Sequence, residues 1–123
     1  MNKDKFILII DDDSRNIFAL TLTLKAKGYK SISCTNATEG IVLLNQNKDI
    51  GLVLLDMMMP EMDGYETLQA INASKDLRNI PIIAVTAQAM HGDKERCIKA
   101  GAWDYIAKPI NVDKLIAVIE KVC

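Results

Sequence analysis

LVLLDMMMPEMDG, residues 52–64, is the stretch on which the reading of this chain turns. Four aliphatic residues, Leu52 to Leu55, run without a break into a carboxylate, Asp56, and three methionines and Pro60 follow. An unbroken apolar run of strand length fits a strand covered on both faces, which is how strands sit in a parallel sheet. An acid at the end of such a run is out of place unless the strand delivers it to a site.

Working outward, four further runs are also of strand length: Phe6–Ile10, Ser31–Cys34, Ile82–Val85 and Trp103–Ala107. Of the five, Phe6–Ile10, Leu52–Leu55 and Ile82–Val85 are apolar throughout. Helical patterns lie between them. Ile17, Leu20, Thr21 and Leu24 fall on one face, and Gly28 is placed to stop that helix. Asp63 can cap a helix through Tyr65, Leu68 and Ile71, and Leu115, Val118, Ile119 and Val122 repeat at helical spacing. The segment from Met90 to Ala100 is the most polar and ends at Gly101. Strand and helix in regular alternation predict an α/β fold with a parallel sheet and helices on both faces. Nothing resembles a linker, so residues 1–123 are read as a single domain.

The bulk numbers narrow the function. A chain of 123 residues can bury a core without staples. A net charge of −1 gives no broad attraction to nucleic acid or to an anionic membrane, and neither partner is expected. The apolar runs fall far short of a membrane span, and MNKDKFILIID lacks the pattern of a secretory signal, so a cytoplasmic location is expected. Cys34, Cys97 and Cys123 are odd in number and far apart, which suggests neither a disulfide framework nor a zinc site.

In open α/β sheets ligands bind beyond the carboxyl ends of the strands. Asp11-Asp12-Asp13 follow the first run, Asp56 the third, Val85-Thr86-Ala87 close the fourth, and Lys108-Pro109 follow the fifth. Carboxylates, a hydroxyl and an ammonium are therefore expected at one edge. Asp11, Asp12 and Asp56 cannot crowd together as bare anions: one pKa must rise or a cation must enter. Oxygen ligands of this kind suit Mg²⁺ (or Mn²⁺), and Lys108 could take an incoming anion. A carboxylate nucleophile beside metal and lysine is the equipment of phosphoryl transfer through an aspartyl phosphate.

Together ILIIDDD (7–13), LVLLDMMMPEMDGYE (52–66), PIIAVTA (81–87) and AGAWDYIAKP (100–109) make the whole chain resemble a response-regulator receiver domain, the family typified by the bacterial chemotaxis regulator. The resemblance implies a flavodoxin-like, doubly wound sheet of five parallel strands in the order 2-1-3-4-5 with five helices. It implies Asp56 as phosphoacceptor, Asp11 and Asp12 as holders of the metal, and Met58 as a metal ligand through its backbone carbonyl. Lys108 would bind the phosphoryl group and Thr86 would hydrogen-bond it after transfer. Thr86 and Tyr105 would form the switch that reshapes the surface of the fourth helix, fifth strand and fifth helix. A cis Lys108-Pro109 bond is expected. Met58 and Gln88 occupy the positions that tune phosphoryl lifetime, and neither is an acid.

The implied role is a signalling module, not a turnover enzyme. It takes a phosphoryl group from a histidine kinase or a histidine phosphotransfer protein, dephosphorylates itself, and signals to a downstream protein, as a monomer or a weak phosphorylation-dependent dimer. The segment Asp13–Asn16 and the run VTAQAMHGDKERCIKAGAWDYIAKP are similar to receivers fused to hybrid histidine kinases, which favours a phosphorelay and allows either a stand-alone receiver or one excised from a longer chain.

Plainer readings stand beside these. Asp11 to Asp13 alone could be no more than a helix cap, Asp56 a turn residue, Thr86 a strand end and Lys108 a solvated lysine. A small phosphohydrolase of the haloacid-dehalogenase type would use Asp11-x-Asp13-Ser14 instead, with Asp11 as nucleophile. A flavodoxin-like flavin site is disfavoured by DDDSRN, which repels a phosphate without metal. His91 reads as a solvated loop residue, Met57, Met58, Met59 and Met62 as packing, and Trp103 as packing near the fifth strand. Lys94, Glu95, Arg96 and Lys99 read as a solvated helix face.

Overall fold

Strand and helix alternate along the whole chain in the computed structural model, which describes residues 3–59, 64–86 and 93–122. The strands are β1 (Phe6–Ile10), β2 (Lys30–Cys34), β3 (Ile50–Asp56), β4 (Ile82–Thr86) and β5 (Asp104–Ala107). The helices are α1 (Ser14–Ala26), α2 (Ala37–Gln46), α3 (Gly64–Ala73), α4 (Asp93–Lys99) and α5 (Val112–Lys121). All strand pairs are parallel, and the order across the sheet is β2-β1-β3-β4-β5, as expected.

Successive residues of a strand point to opposite faces, so each central strand feeds two cores. Leu8, Ile10, Val53, Leu55, Ile82 and Ala84 pack with Ala37 and Leu44 of α2, Leu68 and Ile71 of α3 and Cys97 of α4. On the other face Ile7, Ile9, Leu52, Leu54, Ile83 and Val85 pack with Leu20 and Leu24 of α1 and Leu115 and Ile119 of α5. This two-sided burial is why the runs Phe6–Ile10, Leu52–Leu55 and Ile82–Val85 within β1, β3 and β4 are apolar at every step. Each such Leu or Ile contributes roughly 1.5–3 kcal/mol by leaving water.

Helix ends follow local chemistry. Asp13, Asn36 and Asn111 cap α1, α2 and α5 by accepting from the amides of Arg15, Glu39 and Lys114. Gly28, at φ +86°, ends α1 as predicted, with Gly28 N–H donating to Lys25 O and Tyr29 N–H to Leu24 O. Of the faces read from sequence, Leu20 and Leu24 are buried while Ile17 and Thr21 are half-buried. Leu68 and Ile71 are buried beneath a half-buried Tyr65, but the Asp63 cap lies outside the described residues. So do Pro60, Met62, Gln88, His91 and Cys123. Cys34 and Cys97 are free and buried.

Two packing expectations need correction. Trp103 is 58% exposed, because it precedes the outer strand β5, which has a neighbour on one side only. Its backbone is held, Trp103 N–H donating to Ile82 O at 2.7 Å, while its ring is left outside. Among the methionines, Met57 and Met59 are buried but Met58 is 50% exposed. Arg96 also does more than solvate α4: its guanidinium lies over the Tyr65 ring, 4.0 Å from the centroid, tying α4 to α3.

Candidate functional site

The register of the sheet assembles the site. Ile10 pairs with Leu55, Asp56 with Val85, and Thr86 with Ala107. The carboxyl ends of β1, β3, β4 and β5 are therefore level, and the residues at or just past them, Asp11, Asp56, Thr86 and Lys108, share one edge. Lys108 N–H donates to Thr86 O at 2.7 Å, which fixes the turn out of β5. The Lys108-Pro109 bond is cis, as expected.

The side chains meet there. Lys108 Nζ lies 3.6 Å from Asp11 Oδ2 and 3.7 Å from Asp56 Oδ1. Asp11, Asp56 and Thr86 are buried, and Lys108 keeps about a fifth of its side chain open, 22%. Asp12 is exposed at the rim. Carboxylate oxygens of Asp11, Asp12 and Asp56 all lie within 4.8 Å of one another. Asp11 is held by two donors: the Asp13 amide at 2.8 Å to Oδ1 and Asn16 Nδ2 at 3.4 Å to Oδ2. Asp56 Oδ1 accepts from the Met58 amide at 3.0 Å.

Burial pushes the Asp56 carboxyl up to about 6, with Asp11 and Asp12 adding to the rise and the Met58 amide and Lys108 opposing it. One ammonium does not balance three carboxylates. Hard oxygen donors in this number, two of them buried, fit a hard divalent cation such as Mg²⁺ or Mn²⁺. The same arrangement leaves the buried Asp56 carboxyl beside a fixed positive charge.

Other expected site residues sit differently. Asp13 is outside the acidic cluster and serves α1: hydrogen bonds from the Arg15 side chain and amide hold its carboxyl below the usual carboxylate range. The plain reading of the acidic triplet thus holds for Asp13 and fails for Asp11. Tyr105 is half-buried in β5 and packs against the α2–α3–α4 core. Met58 meets Asp56 through its amide; its exposed side chain leads away from the core. Gln88 lies outside the described residues.

Sequence reasoning missed two donors, Asn16 and the Met58 amide. Asn16 could have been found: three residues beyond the Asp13 cap, it sits in the first turn of α1, beside the end of β1. Gly64 sits at a close backbone approach. A Cβ there would come 2.5 Å from Met57 Cα, and Gly64 N–H donates to Met57 O at 3.2 Å. The chain after Asp56 folds back on itself at this point.

Comparison with known proteins gives one answer. The family model described as response regulator receiver domain matches residues 7–120. The chain is similar to the polar-differentiation response regulator DivK of Brucella anthropi, 36% identical over 116 residues that cover 94% of each chain. Among solved structures it is similar to a response regulator receiver protein from Pseudomonas putida, with a TM-score of 0.89 and 27% identity, covering 98% of this chain and 99% of that one. It is also similar to the receiver domain of a sensor histidine kinase from Pseudomonas aeruginosa, with a TM-score of 0.85 and 30% identity over 95% of each chain. That structure has a magnesium ion coordinated in its active-site cleft.

Proposed function

The chain belongs to the response regulator receiver family, the phosphoacceptor modules of two-component signalling, and on that premise we propose that Asp56 is the residue phosphorylated. The observation that carries this is the position of Lys108 Nζ, 3.6 Å from Asp11 and 3.7 Å from Asp56. Asp56 Oδ1 is engaged by the Met58 amide and Lys108, so Oδ2 is assigned as the attacking oxygen. It forms a bond to phosphorus as the bond from phosphorus to the donor histidine nitrogen breaks, and that nitrogen takes a proton from solvent as the imidazole leaves. Lys108 holds a phosphoryl oxygen through this exchange, and Thr86 donates to another once the group is on Asp56.

Asp11, Asp12 and Asp56 would hold Mg²⁺ or Mn²⁺, with Met58 contributing its carbonyl; the bound ion supplies charge compensation for the phosphoryl oxygens. Asp13 is committed to its helix cap, which disfavours a phosphohydrolase built on Asp11-x-Asp13. Dephosphorylation is by water at Asp56 itself, with Met58 and Gln88 setting its rate. Thr86 and Tyr105 form the switch, and the face of α4, β5 and α5 carries the signal to a downstream protein. A histidine kinase or phosphotransfer protein is the donor, the setting is cytoplasmic, and residues 1–123 act as one receiver unit. No described helix is long and apolar enough to cross a membrane.

The test is incubation with acetyl phosphate plus Mg²⁺, followed by peptide mapping. One acid-stable, hydroxylamine-sensitive phosphoryl group on the peptide containing Asp56 is expected, absent in Asp56→Asn and without divalent metal. Labelling of Asp11, or persistence of the label in Asp56→Asn, overturns the assignment.

A further inference from the structure

The five strands are parallel, so the connections that lead from a helix into a strand share the end of the sheet opposite Asp56. Lys3, Lys5, Lys25, Lys27, Lys30 and Lys48 gather at that end, around the entries of β1, β2 and β3. Phe6 is level with Lys30 in the β1–β2 pair, and Phe6 N–H donates to Asp49 O at 2.7 Å, so the three entries lie side by side. Asp4 and Asp49 are the acids of these entries, and the charge of Glu120 reaches Tyr29 from α5. Six lysines against three acids is a local arrangement in a chain whose net charge is −1. That net charge excludes a broad attraction to anions, not a local one.

Neutral groups hold these lysines. Lys3 Nζ lies over the Tyr29 ring, 5.1 Å from its centroid, and Lys30 Nζ over the Phe6 ring at 4.7 Å. Lys5 Nζ donates to Lys48 O at 3.3 Å. A ring face or a carbonyl orders an ammonium without cancelling its charge. Among the described residues none of the six forms an ion pair, and all but Lys5 are exposed. The dipole of α1 accounts for Lys25 and Lys27 at its carboxyl end. It does not account for Lys3, Lys5, Lys30 and Lys48, which stand on strands or strand entries. Two features select the partner. Every cation is a lysine, a compact hydrated charge without the flat fork by which arginine grips single phosphates. The two rings are covered by Lys3 and Lys30, and Tyr29 is buried, so neither offers a free face on which a nucleic-acid base could stack.

We infer that this end of the domain is a peripheral docking surface for a layer of anionic lipid headgroups, held by charge with no inserted segment. Laterally mobile headgroups can collect beneath fixed lysines, and a contact of this kind is screened by salt. β1 is five residues long, which sets the patch about 16 Å from the carboxylates at the other end of that strand. A domain seated this way turns Asp11, Asp56 and Lys108 away from the lipid, open to a phosphoryl donor. The docking does not depend on which carboxylate accepts the phosphoryl group.

The experiment is co-sedimentation of the full chain with vesicles of mixed phosphatidylserine and phosphatidylcholine, beside vesicles of phosphatidylcholine alone. The wild-type chain should bind the mixed vesicles only, and its partition should fall at least tenfold as salt rises to about 0.5 M. Lys27→Gln/Lys48→Gln should bind at least tenfold more weakly. Lys94→Gln/Lys114→Gln removes the same charge from the starts of α4 and α5, at the other end of the sheet, and should bind as the wild type does. Equal loss in the two variants, equal binding to phosphatidylcholine alone, binding that survives salt, or no binding to the mixed vesicles overturns the proposal. So does tighter binding to polyadenylate than to the mixed vesicles, which would give the patch to a nucleic acid. Acetyl phosphate labelling in each variant, equal to that of the wild type, shows that the fold is kept. Should a variant fail to fold, the lipid selectivity and salt dependence of the wild-type chain decide the matter by themselves.

Discussion

Lys108 Nζ lies 3.7 Å from Asp56 Oδ1, a contact between residues 52 positions apart that exists only because β5 ends level with β3 across the intervening β4. The same ammonium is 3.6 Å from Asp11. Distances of this length mark ion pairs more than tight hydrogen bonds, so the lysine is poised near both carboxylates and locked to neither. A charge held in this way is suited to following a phosphoryl group as it arrives.

Removing that charge should be felt at Asp56. Lys108 pulls the Asp56 pKa downward against burial, so Lys108→Met should move it above about 6. Carboxyl-carbon NMR titration of Asp56 reads this directly. The same variant should label with acetyl phosphate at least roughly tenfold more slowly, because a fixed cation near developing phosphoryl charge is lost. An unchanged titration would mean that Lys108 does not face Asp56 in solution.

Asp56 should cost the fold stability at neutral pH. Its folded-state value of about 6 stands above the ordinary 3.8, so between those values the native state holds more protons than the unfolded one. Stability therefore falls as pH rises through that window and levels above it. Asp56→Asn lacks this term. Its urea midpoint should exceed the wild type's at pH 7, with the gap shrinking to near zero below about pH 4. A gap that widens on acidification contradicts the buried-carboxylate account.

Divalent metal should close the same gap from the other side. With Mg²⁺ at 100 times its dissociation constant, binding to the native state alone stabilises by about 2.7 kcal/mol. Thermal denaturation of the wild type with and without Mg²⁺ measures it. Asp12→Asn, altering an exposed residue of the cluster, should lose most of the metal-dependent shift while leaving the metal-free transition nearly unmoved. Equal shifts in both proteins would take Asp12 out of the metal site.

Gly64→Ala should destabilise the domain by about 1–3 kcal/mol, since a methyl there meets the backbone of Met57 and the neighbour cannot swing aside. Urea denaturation gives the loss. Because the clash lies beside the strand that ends in Asp56, acetyl phosphate labelling should slow as well. A neutral substitution would show that the loop relaxes freely.

Much of this was readable one residue at a time. The runs Phe6–Ile10 and Ile82–Val85 match β1 and β4 to within one residue, because strands buried on both faces leave no polar gap to mislead. The run Leu52–Leu55 is shorter than β3, Ile50–Asp56, because Gly51 breaks the apolar pattern at one end and Asp56 at the other. Helix α2 had no face assigned from the sequence. Gly40 sits in its middle, where a Cβ would come 2.5 Å from Ile10 Cδ1. The glycine is present so that the helix can lie close on β1. Trp103 misled in the opposite way: a large aromatic beside a strand suggests core, but the strand is an edge.

What the sequence alone determined is the alternation of elements and the chemical type at each strand end, because burial of both sheet faces and the turn out of each strand are local demands written in residue pattern. The resemblance of its motifs to receivers carried the strand order and the roles. What only the tertiary structure decided is which polar groups meet. Asp11 turned to Lys108 and Asn16 while Asp13, two residues on, turned to its own helix, and the Met58 amide reached Asp56. Those choices depend on register between strands far apart in the chain and on the few ångströms over which a charge in a buried site is felt. A linear pattern contains neither.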